Sequence, residues 1–248
     1  MRANYWQSIQ PLVEKCLAHN QSAMKKASAE IFDSLGAGGV WHLFGSGHSS
    51  LRVEEAFHRA GGLVAVNPLT VVELSPLVNP AKNREAERSE GLTPKILQNH
   101  SVQKNEVIWI ISNSGINPAS VDIAIAAKAM GMRVWAITCV EHSLAANSRH
   151  SSGKRLFEVA DSVLDTLLPP GDAILEISGA ENSSYQSGAA SLVVGSVLLH
   201  SVEELVIEKF VELGLVPPVY RSSNLPGGDE HNKSLEARYE NRVMRMRE

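Results

Sequence analysis

From Val40 to Leu168 the chain repeats one pattern: a short apolar run, a knot of small polar residues, then a stretch with helical spacing. The apolar runs are "VWHLF" at 40–44, "LVAVNP" at 63–68, "VIWIIS" at 107–112, "RVWAIT" at 133–138 and "SVLDTLL" at 162–168. Runs this short and this evenly apolar suit strands buried on both faces, and the helical stretches between them, from about Ser50, after Gly91 and from Pro118, serve as crossovers. The alternation predicts an α/β fold, a doubly wound parallel sheet of about five strands. Sheets of this kind bind ligands outside the carboxyl ends of their strands, where neighbouring loops diverge.

Helices flank this unit. Ile9, Leu12, Val13, Leu17, Met24, Ala27 and Ile31 recur at near-helical spacing over 4–35 until Gly36 and the "GAGG" turn, so residues 1–36 form an N-terminal segment of one or two helices. Residues 189–213 form the longest helix candidate, closed by Gly214 and two prolines, with an apolar side broad enough to pack on a second helix or subunit. Residues 37–215 then make the α/β domain, and 216–248 a turn-rich arm, "PPVYRSSNLPGGDEHN", with a charged helix from about Ser234.

With 248 residues, 44% of them hydrophobic, the chain can bury a sizeable core. Its net charge of -4 and lack of a Lys/Arg block argue against a nucleic-acid partner. No basic segment followed by an apolar leader opens the sequence and no run reaches the roughly 18 apolar residues of a membrane span, so a cytoplasmic protein with no membrane partner is expected. Cys16 and Cys139 lack metal-ligand spacing and read as reduced thiols.

Two polar knots stand out. In "ISNSGINPAS" the strand gives way near Ser112, and Asn117 before Pro118 signals a helix start, with a capping side chain followed by proline at the first helical position. The free amides and positive dipole end of that helix favour an anion; Ser112, Asn113, Ser114 and Asn117 add donors around Gly115, which lets the backbone come close. A phosphate fits, and so does a plain turn capped for stability. No Lys or Arg stands nearby in sequence and the nucleotide loop pattern is missing, which suits a neutral cradle. "FGSGHSS" supplies the second knot: Gly45 and Gly47 permit a tight backbone while Ser46, Ser49 and Ser50 offer hydroxyls. It is no dinucleotide fingerprint, since position 50 is Ser.

"SNSGIN" after a buried strand resembles the phosphate loop of SIS (sugar isomerase) domains, whose usual form is Ser-x-Ser-Gly-x-Ser/Thr, and "GSGHSS" resembles their sugar-facing loop. The similarity continues through "ER" at 87–88, "HSSGKRLFEVAD" at 150–161, "PPGDA" at 169–173 and the tail motif at 217–232, and covers nearly the whole chain. It points to a phosphosugar-binding branch of that family related to phosphoheptose isomerase. The departures are Asn117 where Ser or Thr is usual and Asn113 where phosphoheptose isomerase has Thr. The resemblance implies a flavodoxin-like SIS fold, a sugar phosphate as partner, and a homodimer or homotetramer whose sites borrow residues from a neighbour. Ser112, Asn113, Ser114, Gly115 and Asn117 would hold phosphate; Gly45, Ser46, Gly47, His48, Ser49, Glu87 and Arg88 would face the sugar.

Aldose-ketose interconversion through an enediol needs a base at carbon and a group that shuttles protons between oxygens. Glu54, Glu55, His58 and Arg59 follow the first knot, and the Glu55 to His58 spacing puts that pair on one helical face. The bland alternative is a first-turn acid complementing the helix dipole beside a solvated charge. The pair that phosphoheptose isomerase carries on this helix falls on Glu55 and Arg59, so it is not preserved residue by residue. His200, with Ser196 and Glu204 a turn away on either side, is either an interface histidine or a second proton-transfer group, a role the resemblance supports. Glu87 and Arg88 sit in a charged stretch, "NREAERSEG", read as a loop whose Arg88 reaches across a subunit boundary. Glu55, His58 and His200 carry no zinc signature, and neither metal nor cofactor is expected. The reading is a sugar-phosphate isomerase, with a lyase or etherase on an amino-sugar phosphate and a non-catalytic sensor as rivals.

Overall fold

Asn4 starts the first element: its side chain accepts from the Gln7 amide while the Gln7 side chain accepts from the Asn4 amide, a reciprocal cap on α1 (Tyr5–Gly36). The computed structural model describes residues 4–77, 79–180 and 183–246, and α1 is one helix of 32 residues with Pro11 inside it. Then follow β1 (Trp41–Gly45), α2 (Ser50–Ala56), β2 (Val66–Leu69), α3 (Pro80–Glu87), α4 (Pro94–Asn99), β3 (Val107–Ile111), α5 (Pro118–Ala129) and β4 (Arg133–Thr138). The chain continues through α6 (Val140–Leu144), α7 (Leu156–Val159), β5 (Ser162–Asp165), β6 (Ala173–Ser178), β7 (Ser184–Ala189), α8 (Ser191–Glu212) and α9 (Gly228–Glu236).

The sheet is the expected one: β1 to β5 pair in parallel in the order β2-β1-β3-β4-β5. The order reverses beside β1, because the chain steps from β1 out to β2 and then returns past it to β3. Crossovers leaving β1 and β3 diverge, and a crevice opens where Gly45 and Ile111 are register partners. One sheet face is covered by α1 and α8, which pack on each other over Trp41, Trp109 and Trp135. The three indoles are fully buried, Trp41 and Trp109 meeting edge to face at 4.8 Å, and Trp135 Nε1 donates to Glu30 Oε2 at 2.7 Å. The other face buries Phe44, Ile108, Ile110 and Leu97 under α4 and α5. Each such side chain contributes about 1.5–3 kcal/mol when taken wholly from water.

Several details differ from the sequence reading, among them the fifth strand, which stops at Asp165 instead of Leu168, and the long helix, which starts at Ser191 because Ala189 still belongs to β7. The charged "NREAERSEG" stretch is no loop through Glu87: Asn79 caps Ala81 and Lys82, Pro80 occupies the first turn, and α3 ends at Glu87 with Arg88 as its C-cap. The helix that starts near Ser50 stops at Ala56; Phe57 is extended and His58 has φ of 52°, so Glu55 and His58 do not share a helical face. Leu63 to Ala65 precede the strand, and Leu63 forms an antiparallel bridge with Val219 of the arm. The arm's charged helix runs Gly228–Glu236, earlier than the start near Ser234. A feature without warning in the sequence reading is the antiparallel β6–β7 hairpin, largely exposed. Both cysteines are free and buried, and burial pushes the Cys16 thiol up to about 12. Among the described residues no helix is long and apolar enough to cross a membrane.

Candidate functional site

The β3–α5 loop is fixed from behind by its carbonyls. Asn113 O accepts from Cys139 N at 2.9 Å and Thr138 Oγ1 at 3.2 Å, Ser114 O from Ser143 Oγ at 2.6 Å, Gly115 O from Leu156 N at 2.8 Å, and Ile116 O from Arg149 N at 2.9 Å. With the acceptors turned into the protein, the amides of Asn113, Ser114, Ile116 and Asn117 donate to no acceptor among the described residues. Such a run of free N–H groups at a helix start is an anion nest. Gly115 is required by its φ of 61° and by crowding, since a Cβ there would lie 2.8 Å from Thr138 Oγ1 and 2.9 Å from Ser143 Oγ. Ser112 Oγ accepts from Gly115 N at 3.2 Å and keeps its proton to donate. The Asn113 side chain points to the residue just after β5, where Oδ1 accepts from Thr166 Oγ1 at 2.9 Å, while the enclosed Nδ2 has no partner.

Asn117 does not act as the side-chain cap that the Asn-Pro signal suggested. Its Oδ1 instead accepts from Arg149 Nη1 at 2.7 Å, so an exposed guanidinium stands at the mouth of α5. The cradle is therefore not neutral. Nothing near the loop in sequence announced Arg149; the segment between α6 and α7 folds it in, braced by His150 Nε2 on Asp122 Oδ1 at 2.9 Å.

The β1–α2 loop is shaped by contact more than by hydrogen bonds. A Cβ on Gly45 would lie 2.5 Å from Ser49 O, and one on Gly47, where φ is 56°, would lie 2.8 Å from Glu87 Oε1. Glu87 thus comes down from the end of α3 onto the loop. Ser46 and Ser49 make no side-chain cap bonds and keep their hydroxyls available; Ser46 is nearly buried, His48 and Arg88 are exposed.

A separate constellation lies between α2 and α8. His200 Nδ1 is 3.1 Å from Glu203 Oε2, and the other oxygen of that buried carboxylate accepts from Leu63 N at 2.7 Å. Glu203 fixes the imidazole, whose Nε2 is 3.5 Å from Glu55 Oε1; Glu55 also binds Arg59. The sequence reading named Glu204 as the acid near His200, but the neighbour that touches it is Glu203, three residues on. Glu55 and His200 line a groove of about 550 Å³ with Leu51, Leu192, Ser196 and Val197. His58 is turned away: its Nε2 is 3.2 Å from Glu236 Oε1 and its ring packs on Tyr220, both in the arm. Among the described residues no group of three or more His, Cys, Asp or Glu side chains is arranged to hold a metal ion.

Comparison with known proteins bears on this geometry. A family model described as the SIS domain matches residues 4–139. A UPF0309 protein of Geobacillus thermodenitrificans is 38% identical over 239 residues, covering 96% of this chain and 95% of its own. One from Halalkalibacterium halodurans is 40% identical over 215 residues, 87% of this chain and 88% of its own. Among solved structures, phosphoheptose isomerase from Neisseria gonorrhoeae superposes with a TM-score of 0.54 at 15% identity, over 80% of this chain and 92% of its own. The one from Francisella tularensis gives 0.55 at 14%, over 82% and 95%. At such identities the likeness is one of fold. Taken with the family match and the length of the shared sequence, the chain belongs to the SIS-domain family, alongside the UPF0309 proteins.

Proposed function

We propose that this protein binds a sugar phosphate between the β1–α2 and β3–α5 loops and interconverts aldose and ketose forms through an enediol. The free amides of residues 113, 114, 116 and 117, the hydroxyls of Ser112 and Ser114, and Arg149 take the phosphate. Ser46, Ser49 and Glu87 take sugar hydroxyls. The observation that carries the catalytic part is the imidazole of His200, held by buried Glu203 and aimed at Glu55. In this reading Glu55 removes the proton from carbon and His200 moves protons between the adjacent oxygens. Deuterium exchange tests it: with a bound sugar phosphate in deuterated water, the C1 and C2 protons followed by NMR exchange in the parent. Glu55→Gln slows exchange by about 10²–10⁴ while binding changes less than about tenfold. No exchange in the parent with any tightly bound sugar phosphate overturns the isomerase and leaves a sensor. One contact favours that second reading, because Arg59 already engages the Glu55 carboxylate.

A second copy of the chain is the proposed partner, as dimer or tetramer. Leu192, Val193, Val211 and Leu213 are exposed along α8 and its end, beside the groove that holds Glu55 and His200. Arg88 of a neighbour would then complete the sugar site. Sedimentation of a monomer at micromolar concentration removes this arrangement.

A further inference from the structure

A second cavity opens on the far side of α2, above the carboxyl ends of β1 and β2. It measures about 400 Å³, within the range of about 300–1,000 Å³ common for small-molecule pockets. Phe57, Pro68, Val71 and Val72 give it apolar walls, and Gly45 joins its floor to the root of the sugar-facing loop. Three polar groups that line it bear on a ligand, and one of them has no hydrogen bond at all. Ser50 is 6% exposed and its Oγ, enclosed, has no hydrogen-bond partner. Glu54 sits on the helix side, and Arg245, delivered by the end of the arm, donates from Nη2 to Thr70 Oγ1 at 2.8 Å. Among the described residues neither Glu54 nor Arg245 forms an ion pair, with each other or with any third group.

One cavity thus brings together a carboxylate from α2 and a guanidinium from the end of the arm, neither in an ion pair among the described residues, with an unsatisfied hydroxyl and apolar walls. A simple anion would be drawn to Arg245 but repelled by Glu54; a simple cation meets the reverse. A ligand bearing both charges on a compact apolar body satisfies all four features at once. From this we infer that the cavity is a binding site for a small zwitterion of the amino-acid class, its carboxylate on Arg245, its ammonium on Glu54 and its apolar side chain against Phe57 and Val72. The cavity shares Gly45 with the root of the sugar-facing loop but uses none of the β3–α5 loop, so its occupancy can be tested apart from the phosphate cradle.

The test is calorimetry on the full chain with L-leucine and L-phenylalanine as probes, beside 4-methylpentanoate, which lacks the amine, and L-leucinamide, which lacks the acid. At least one amino acid is expected to bind saturably, with both truncated analogues at least about tenfold weaker, because each forfeits a charge-assisted contact. Arg245→Ala should weaken leucine by about tenfold and leave leucinamide unchanged; Glu54→Gln should weaken leucine and leave 4-methylpentanoate unchanged. Both residues are exposed, so these variants keep the fold. Ser112→Ala with Ser114→Ala should not alter leucine binding, which separates this site from the phosphate cradle. Failure of both amino acids to bind at millimolar concentration overturns the inference, as does equal affinity for the acid-only analogue or indifference to Arg245→Ala.

Discussion

The same central strands end very differently at their two ends. At the amino end of β3, buried Glu106 is saturated: Oε1 accepts from Val40 N at 3.0 Å and from Arg242, and Oε2 from His42 Nε2 at 2.9 Å and Gln103 N at 2.6 Å. His42 in turn meets Asn67 at 3.0 Å. At the carboxyl end the count runs the other way, with loop carbonyls taken and amides, hydroxyls and Arg149 left over. A buried carboxylate with both oxygens fully engaged supports folding, whereas preorganised donors without acceptors favour an anionic ligand. The first end contributes to stability; the proposed function assigns the second to binding.

The sharpest test of that division is Glu106→Gln. Removing the charge from a buried partner of Arg242 should cost about 3 kcal/mol in denaturant unfolding and leave sugar-phosphate affinity unchanged. Lost affinity with intact stability would break the comparison. The same residue predicts a pH effect. Burial alone pushes the Glu106 carboxyl up, but His42, Arg242 and the Gln103 amide outweigh it and hold the group below the usual carboxylate range. Its stabilisation is therefore complete above the ordinary unfolded value of about 4.3 and disappears as pH falls through the lower folded value. Acid titration of stability should be shallower in Glu106→Gln than in the parent.

At the binding end, Ser112→Ala combined with Ser114→Ala should weaken a phosphorylated sugar by at least about tenfold and hardly affect the unphosphorylated one, since each charged hydrogen bond is worth about 1.5–3 kcal/mol. Unfolding free energy should change by less than about 1 kcal/mol. Arg149→Ala sharpens the picture with a smaller effect. An exposed guanidinium adds about 1 kcal/mol at low salt, so affinity should drop roughly fivefold and its salt dependence flatten.

The sheet was legible because a parallel strand buried on both faces must be apolar throughout, as "VIWII" is. The β6–β7 hairpin escaped because its exposed strands, "SYQSGA" among them, carry no such constraint. Glycine positions were legible too, for sterics at Gly45 and Gly115 act within a few residues or on an adjacent strand. Contacts made by tertiary folding were not. Spacing extended α2 to His58, but Phe57 packs against the core and Tyr220 with Glu236 hold the imidazole outside the helix. Arg149 reached Asn117 across 32 residues, beyond any local pattern. Two signals were in plain sight: Asn79 before Pro80 repeats the Asn117-Pro118 start of α5, and Glu203 lies three residues after His200.

Both margins of the five-stranded sheet carry positions blocked to a further strand. At β5, the Asn20 side chain imitates a neighbouring backbone, Nδ2 donating to Asp165 O at 2.8 Å while Oδ1 accepts from Asp165 N at 3.0 Å. At β2, Pro68 has no N–H to offer, the turn Met244–Met246 packs alongside, and just before the strand Val64 N is taken by Pro218 O at 2.8 Å. Edges blunted this way resist the strand-by-strand growth that turns open sheets into fibrils. A strand from another copy would find these backbone positions of the five-stranded sheet already taken.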